Sequence, residues 1–161
     1  AGSLPSCYMT LIGNEWEFLN NALIKKIGFE YIDTRIDTTY HGFCGPNTAY
    51  NNGTYDYTNY GMSLGAPIDS EGKSFNVWAS TNISKNTSIK YSLKDMTIND
   101  TNWSIHRLTT SKQKGWMADV DISWKLNSFK INSKITYQGL YLDKVNINKG
   151  LSLTFGSQYV F

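Results

Sequence analysis

The side chains with the most recognisable chemistry lie in one tyrosine-rich stretch, residues 38–72. It carries Tyr40, His41, Phe43, Tyr50, Tyr55, Tyr57 and Tyr60 among Asn47, Asn51, Asn52, Asp56 and Asn59. Flat apolar rings stack on the C–H faces of a sugar, and fixed amides and carboxylates hold its hydroxyls. A tyrosine supplies both contact area and a hydrogen-bonding group. Tyr40, His41, Tyr50, Tyr55, Asp56, Tyr57 and Tyr60 are therefore carbohydrate-contact candidates. The alternative is a loop packed over the fold by its own aromatics. A second stretch, residues 97–114, holds Trp103, His106 and Arg107 and adds Trp103 and Arg107 to the candidates.

Other chemistries find little support. Glu30, Asp33 and Arg35 could be read as an acid pair with an electrophile, but alternation puts Glu30 on one face and Asp33 and Arg35 on the other. A charge network at the end of a strand accounts for all three. His41 and His106 are the only histidines, and neither has metal-ligand spacing to a cysteine, histidine or carboxylate cluster. No nucleophile–base motif and no phosphate loop is present. No catalytic residue, metal or cofactor is expected. The net charge is +2 and no basic run exceeds Lys25-Lys26, so a nucleic-acid partner is not indicated.

The elements that must position these residues are strands. Among 161 residues, 14% are aromatic and only 17% are charged, below the roughly 25% of ordinary soluble domains. Apolar and polar residues alternate with period two, the mark of a strand with two unlike faces. Trp116, Ala118, Val120, Ile122, Trp124 and Leu126 alternate with Met117, Asp119, Asp121, Ser123 and Lys125. Phe129, Ile131, Ser133, Ile135 and Tyr137 alternate with Lys130, Asn132, Lys134 and Thr136. Leu151, Leu153, Phe155, Ser157, Tyr159 and Phe161 close the chain in the same way. Seven strands are expected, near 7–13, 26–37, 73–83, 86–96, 115–126, 128–141 and 150–161.

A soluble sheet buries the apolar face, whereas an outer-membrane barrel turns it to lipid. Three features favour the barrel. Most of the segments match or exceed the roughly 9–11 residues of a tilted bilayer crossing. Trp116, Trp124, Phe129, Tyr137, Tyr159 and Phe161 sit near strand ends, as in interfacial girdles. Connections alternate between tight turns, near 84–85 and at Asn127, and long polar loops at 38–72, 97–114 and 142–149. The terminal run, with Thr154, Gly156, Tyr159 and Phe161, is similar to the signal read by bacterial barrel-assembly machinery. With the C-terminus in the periplasm, all three long loops fall outside and both tight turns fall inside; residues 14–25 form a longer periplasmic link. Lys90, Lys94, Lys130, Lys134, Asp119 and Asp121 then face the lumen as salt-bridge partners. An odd strand count is unlike single-chain barrels, so the expectation is the C-terminal part of a larger barrel; an eight-stranded barrel is the rival.

The run Leu4-Pro5-Ser6…Met9…Leu11…Gly13, the strand Phe29-Glu30-Tyr31-Ile32-Asp33-Thr34-Arg35, the tyrosine-rich loop through Gly61-Met62-Ser63-Leu64-Gly65, and Asp69-Ser70-Glu71-Gly72 occur in that order. With the terminal strand, this order resembles the C-terminal third of the Wzi family of capsule-assembly proteins. The resemblance implies an all-β, antiparallel outer-membrane barrel of roughly eighteen strands, preceded by a periplasmic helical bundle. Residues 1–161 would be its C-terminal part, without the first strands and the bundle. It also implies a lectin-like, non-catalytic role in holding capsular polysaccharide at the cell surface, with outer-membrane lipid and the barrel-assembly machinery as further partners. An uptake channel and a barrel hydrolase are the alternatives from other classes.

Cys7 and Cys44 both fall at the outer side in this topology, in a compartment that permits disulfides. A bridge between them would tie the long loop to the rim; the alternative is two free thiols. If they are bridged, mass spectrometry of the unreduced protein finds no alkylatable thiol, and two alkylated cysteines would exclude the bridge.

Overall fold

The computed structural model of the chain describes residues 9–18, 23–36, 45–50, 58–59, 62–63 and 66–159. Its long strands are β1 (Thr10–Glu17), β2 (Lys26–Asp33), β5 (Lys73–Ser84), β6 (Thr87–Ile98), β7 (Gln113–Leu126), β8 (Phe129–Gln138) and β9 (Gly150–Tyr159). A two-strand ribbon, β3 (Thr58–Asn59) with β4 (Met62–Ser63), interrupts the longest loop. The seven long strands form one antiparallel sheet in chain order, β1-β2-β5-β6-β7-β8-β9. Among the described residues, β1 and β9 each pair on one side only.

Register turns local alternation into a continuous surface. Ile12 and Trp16 lie opposite Tyr31 and Ile27 of β2, and Phe29 and Tyr31 lie opposite Val77 and Phe75. The row continues through Leu93 and Tyr91, then Ala118 and Val120, then Tyr137 and Ile135, to Leu151 and Leu153. A slip of one residue between any two strands would send one apolar set to the opposite face. No such slip occurs across the band; the only irregularity is a bulge between Asn82 and Ser84, beside the β5–β6 turn.

This apolar face is open. Phe75, Leu93, Trp116, Leu151, Leu153 and Phe155 are all exposed, Leu151 at 74%. A soluble monomer rarely exposes a contiguous apolar patch beyond a few hundred Å², so lipid or another apolar surface must cover this one. Aromatic pairs bound the band at both ends. Trp116 and Tyr137 have ring centroids 4.4 Å apart near the long loops, and Phe129 and Tyr159 meet edge-on at 5.1 Å near the tight turns. On β8 the eight steps from Phe129 to Tyr137 span about 27 Å, close to the roughly 25 Å apolar band of outer-membrane barrels.

The opposite face is polar. Asp119, 8% exposed, accepts from Ser92 Oγ at 3.1 Å and Thr136 Oγ1 at 2.6 Å and pairs with Lys134 Nζ at 3.2 Å. On β1 and β2, Lys26 pairs with Glu15 at 3.0 Å and Glu17 at 3.4 Å. Gly28 lies opposite Trp78, and a Cβ at residue 28 would come within 2.4 Å of the indole. Only glycine lets Trp78 lie against β2, where Nε1 donates to Glu15 Oε2 at 3.4 Å and Lys90 Nζ stands 5.9 Å from the ring centroid.

The observed strands correct several expected boundaries. The first strand runs 10–17 rather than 7–13. Asn14–Glu17 reads as polar in sequence, but Lys26 satisfies both glutamates and Trp16 stacks near Phe29 at 5.8 Å. The following link shortens accordingly. β2 stops at Asp33 rather than 37, where Arg35 takes up the Asp33 carboxylate. The eighth strand stops at Gln138 rather than 141. Gly139 donates to Trp116 O at 2.9 Å, and the chain then turns inward so that Leu140 and Leu142 are buried. Lys130, expected as a salt-bridge partner, lies opposite Lys125 instead. Cys7, Cys44 and Phe161 lie outside the described residues.

The apolar face has a direct test. In the full-length protein, Val120→Arg at the middle of β7 should cost about 2–4 kcal/mol, read by urea unfolding in lipid. Ser152→Arg, on the polar face, should cost much less; equal costs would refute the assignment of the faces.

Candidate functional site

The three long connections meet at one end of the sheet and fold back onto its polar face. By register, Ile32, Met96 and Ile98 belong to that face. They form a buried cluster with Ala66 and Ile68 of the β2–β5 connection and Leu140 and Leu142 of the β8–β9 connection; Tyr50, Leu108 and Met117 pack around it. Apolar residues on an otherwise wet face thus act as anchors for the loops.

A polar frame locks the loops above that cluster. Asn99 is fully buried. Its Nδ2 donates to Trp103 O at 2.9 Å and Thr109 O at 3.0 Å, and its Oδ1 accepts from Trp103 N at 2.6 Å. His106, also fully buried, bridges two connections. Its Nδ1 accepts from Leu108 N at 3.2 Å, which leaves Nε2 as the N–H that donates to Ser70 O at 2.9 Å. Burial pushes the imidazole pKa below its usual value, in keeping with this neutral form. Asp69 is buried and pairs with Arg107 Nη1 at 2.8 Å, while Arg107 Nη2 donates to Tyr50 O at 3.2 Å. Tyr50, Asp69 and Glu71 hold φ of 57°, 57° and 54°. Such left-handed backbone costs about 1–2 kcal/mol for ordinary residues, and the surrounding bonds must offset it.

Two further ties close the frame. Arg35 donates to both Asp33 oxygens and reaches Asp100 Oδ2 at 3.2 Å, and Lys112 pairs with Asp100 Oδ1. The Lys112 and Arg35 hydrogen bonds hold the Asp100 carboxyl below the usual carboxylate range. Asp143 accepts from Thr110 N at 2.9 Å and Thr110 Oγ1 at 2.8 Å. These bonds hold its pKa down at about 2.

The candidates from sequence divide into three groups. Tyr40, His41, Tyr55, Asp56, Tyr57 and Tyr60 lie outside the described residues. Tyr50 and Arg107 are part of the frame: the Tyr50 hydroxyl accepts from Ala66 N at 3.0 Å, and Arg107 is spent on Asp69 and Tyr50. Trp103 is half-buried at the same end. Sequence reasoning missed Tyr141 and Ile105, exposed at 47% and 67% on these connections. Tyr141 reads in sequence as the end of a strand; the Gly139 close approach removes it from the sheet. Glu30 stays on the polar face, apart from Asp33 and Arg35, so the three form no single acid–base site. Among the described residues no three histidine, cysteine or carboxylate groups converge as a metal site.

With this geometry in view, comparison with known proteins decides the family. The model of the family described as capsule assembly protein Wzi matches residues 10–150. The chain belongs to the Wzi family. Among solved structures it is similar to Wzi of Escherichia coli, described as an outer-membrane protein involved in group 1 capsule assembly and as a carbohydrate-binding β-barrel. The likeness has a TM-score of 0.68 at 20% identity and covers 98% of this chain and 34% of the E. coli chain. The open seven-stranded sheet thus matches part of that barrel, about a third of its length. No curated protein sequence matches the chain.

Because Asn99 makes three hydrogen bonds to two residues from one buried position, Asn99→Ala should leave Trp103 N and Thr109 O unpaired at a cost of about 1–3 kcal/mol each, while Trp103 O keeps His106 N. Hydrogen exchange in the full-length protein should then speed up across residues 99–112 while β7 and β8 stay protected. Unchanged protection of the loop would contradict the frame.

Proposed function

We propose that the chain is the C-terminal part of an outer-membrane β-barrel that binds capsular polysaccharide through its long-loop end and performs no catalysis. The observation that carries this reading is the joining of two features on one sheet. One is an unbroken, exposed apolar face bounded by aromatic pairs. The other is a rigid, interlocked loop platform at one end only. A lipid-facing band explains the first. A surface that must present aromatic and amide groups without moving explains the second, because preorganisation lowers the entropic cost of binding.

The remaining assignments follow. The open edges of β1 and β9 close against further strands of the same protein, since an unpaired edge is not tolerated in lipid. The long-loop end faces outward and the tight turns face the periplasm. Thr154, Gly156, Tyr159 and Phe161 serve as the assembly signal on the last strand. The E. coli relative is described as carbohydrate-binding, and the loop chemistry here suits the same class of ligand. A channel is disfavoured by the loop cluster around Ile68 and Leu140, which folds onto the polar face and occupies lumen space.

The test is binding of the producing strain's own capsular polysaccharide to the full-length protein. Trp103→Ala and Tyr57→Ala should each weaken binding about tenfold, the loss of one stacked ring, with the thermal midpoint unchanged. Planar-bilayer recordings should be silent. Steady conductance without glycan binding would overturn the reading in favour of a channel.

A further inference from the structure

The tight-turn end of the polar face carries charges that the polysaccharide reading does not use. Lys125 and Lys130 are direct cross-strand partners on that face, with Cβ atoms about 5 Å apart. Like charges placed opposite each other destabilise a sheet. Elsewhere on the same face most lysines stand beside carboxylates; Lys94, opposite Asn76 and Met117, does not. Lys134 meets Asp119 at 3.2 Å, Asp121 stands in register between Lys90 and Lys134, and Lys26 has two glutamates. Among the described residues, no carboxylate lies within ion-pair distance of Lys125, Lys130 or Lys85. Asp121, the nearest carboxylate along β7, is four residues away, about 13 Å.

These lysines surround space rather than protein. Lys85, in the β5–β6 turn, joins Lys125, Lys130, Ser84, Ser88 and Ser123 around a cavity of about 370 Å³. Ser84 Oγ accepts from Asn86 N at 3.2 Å and keeps its O–H free to donate. Ser123 already donates to Asn132 Oδ1 at 2.7 Å, which leaves Ser84, Thr87 and Ser88 as the other lining hydroxyls.

We propose that this pocket binds a phosphate-type oxyanion, held by the ammonium groups of Lys85, Lys125 and Lys130 and by the hydroxyls of Ser84 and Ser88. A tetrahedral phosphate group presents several acceptor oxygens to donors arriving from different strands, which a single carboxylate cannot match. Its charge also removes the Lys125–Lys130 repulsion. The phosphate is either free in solution or carried on a lipid headgroup. The site stands independently of the polysaccharide reading, at the opposite end of the sheet.

The experiment uses the full-length protein and the double variant Lys125→Gln/Lys130→Gln. Thermal unfolding in detergent is followed with inorganic phosphate against chloride at equal ionic strength. Phosphate should raise the midpoint of the parent protein, and more so at low salt, because exposed charges are screened beyond about 10 Å at 0.1 M. The double variant should bind phosphate about tenfold or more weakly, as expected for losing two charged hydrogen bonds. Without phosphate it should be at least as stable as the parent. A second arm compares nanodiscs of phosphatidylglycerol with phosphatidylcholine. A shift seen only with phosphatidylglycerol and lost in the variant assigns the phosphate to lipid. The proposal is overturned if neither phosphate nor phosphatidylglycerol gives a shift that the variant abolishes. It is also overturned if the variant is less stable than the parent without phosphate, which would mean that carboxylates elsewhere in the protein already pair these lysines.

Discussion

The whole structure depends on keeping two unlike faces apart across seven strands. Side chains alternate strictly along a strand, so a single slip would mix lysines into the apolar band. The register holds from Ile12 on β1 to Leu153 on β9. The bulge at Asn82–Ser84 is placed beside a turn, where it changes no residue of the band. Cross-strand pairs on both faces reinforce that register. Phe29 stacks between Trp16 and Phe75 on the apolar side, and Asp119 gathers three donors from the two neighbouring strands on the polar side.

From this constraint follows the use of each end. At the tight-turn end β5–β6 and β7–β8 each reverse within two residues. At the other end the strands continue past the band, and apolar residues reappear on the polar face at Ile32, Met96 and Ile98. There they no longer meet water, because the loops have come down onto them. The buried polar groups that accompany this packing are nearly all spent on one another: Asn99 on Trp103 and Thr109, His106 on Ser70 and Leu108, Arg107 on Asp69 and Tyr50. Satisfied networks of this kind rigidify what they join. A platform held in this way presents Trp103, Tyr141 and Ile105 from fixed positions.

The likeness to a solved Wzi barrel at 20% identity fits the same physics. What must persist for the fold is the alternation, the strand length and the turn spacing, not the identity of any apolar residue. Lipid accepts leucine, isoleucine, valine and phenylalanine alike. Glycines are the exception where backbones or rings approach closely. Gly28 beneath Trp78, and Gly139 against the Trp116 carbonyl at 2.6 Å from its would-be Cβ, tolerate no substitute without rearrangement.

The seven long strands, the residues that share each face and the alternation of short and long connections are legible in the sequence, whereas the short β3–β4 ribbon is not. Each of these is a local, period-two property. The sequence also pointed to a charge network at Asp33 and Arg35, although not to Asp100, which the fold brings to Arg35. Only the tertiary structure decided where strands end, because ends depend on partners distant in the chain. β1 runs through Glu17 because Lys26 is there to receive it, and β8 stops at Gln138 because Gly139 meets Trp116. The same holds for the candidate site. Tyr50 and Arg107 read as binding residues by type, yet contacts 16 to 57 residues away commit them to the frame. Tyr141 reads as a strand residue and becomes a loop residue. Residue type is written in the sequence; whether a side chain remains free to meet a ligand is settled by which neighbours the fold brings to it.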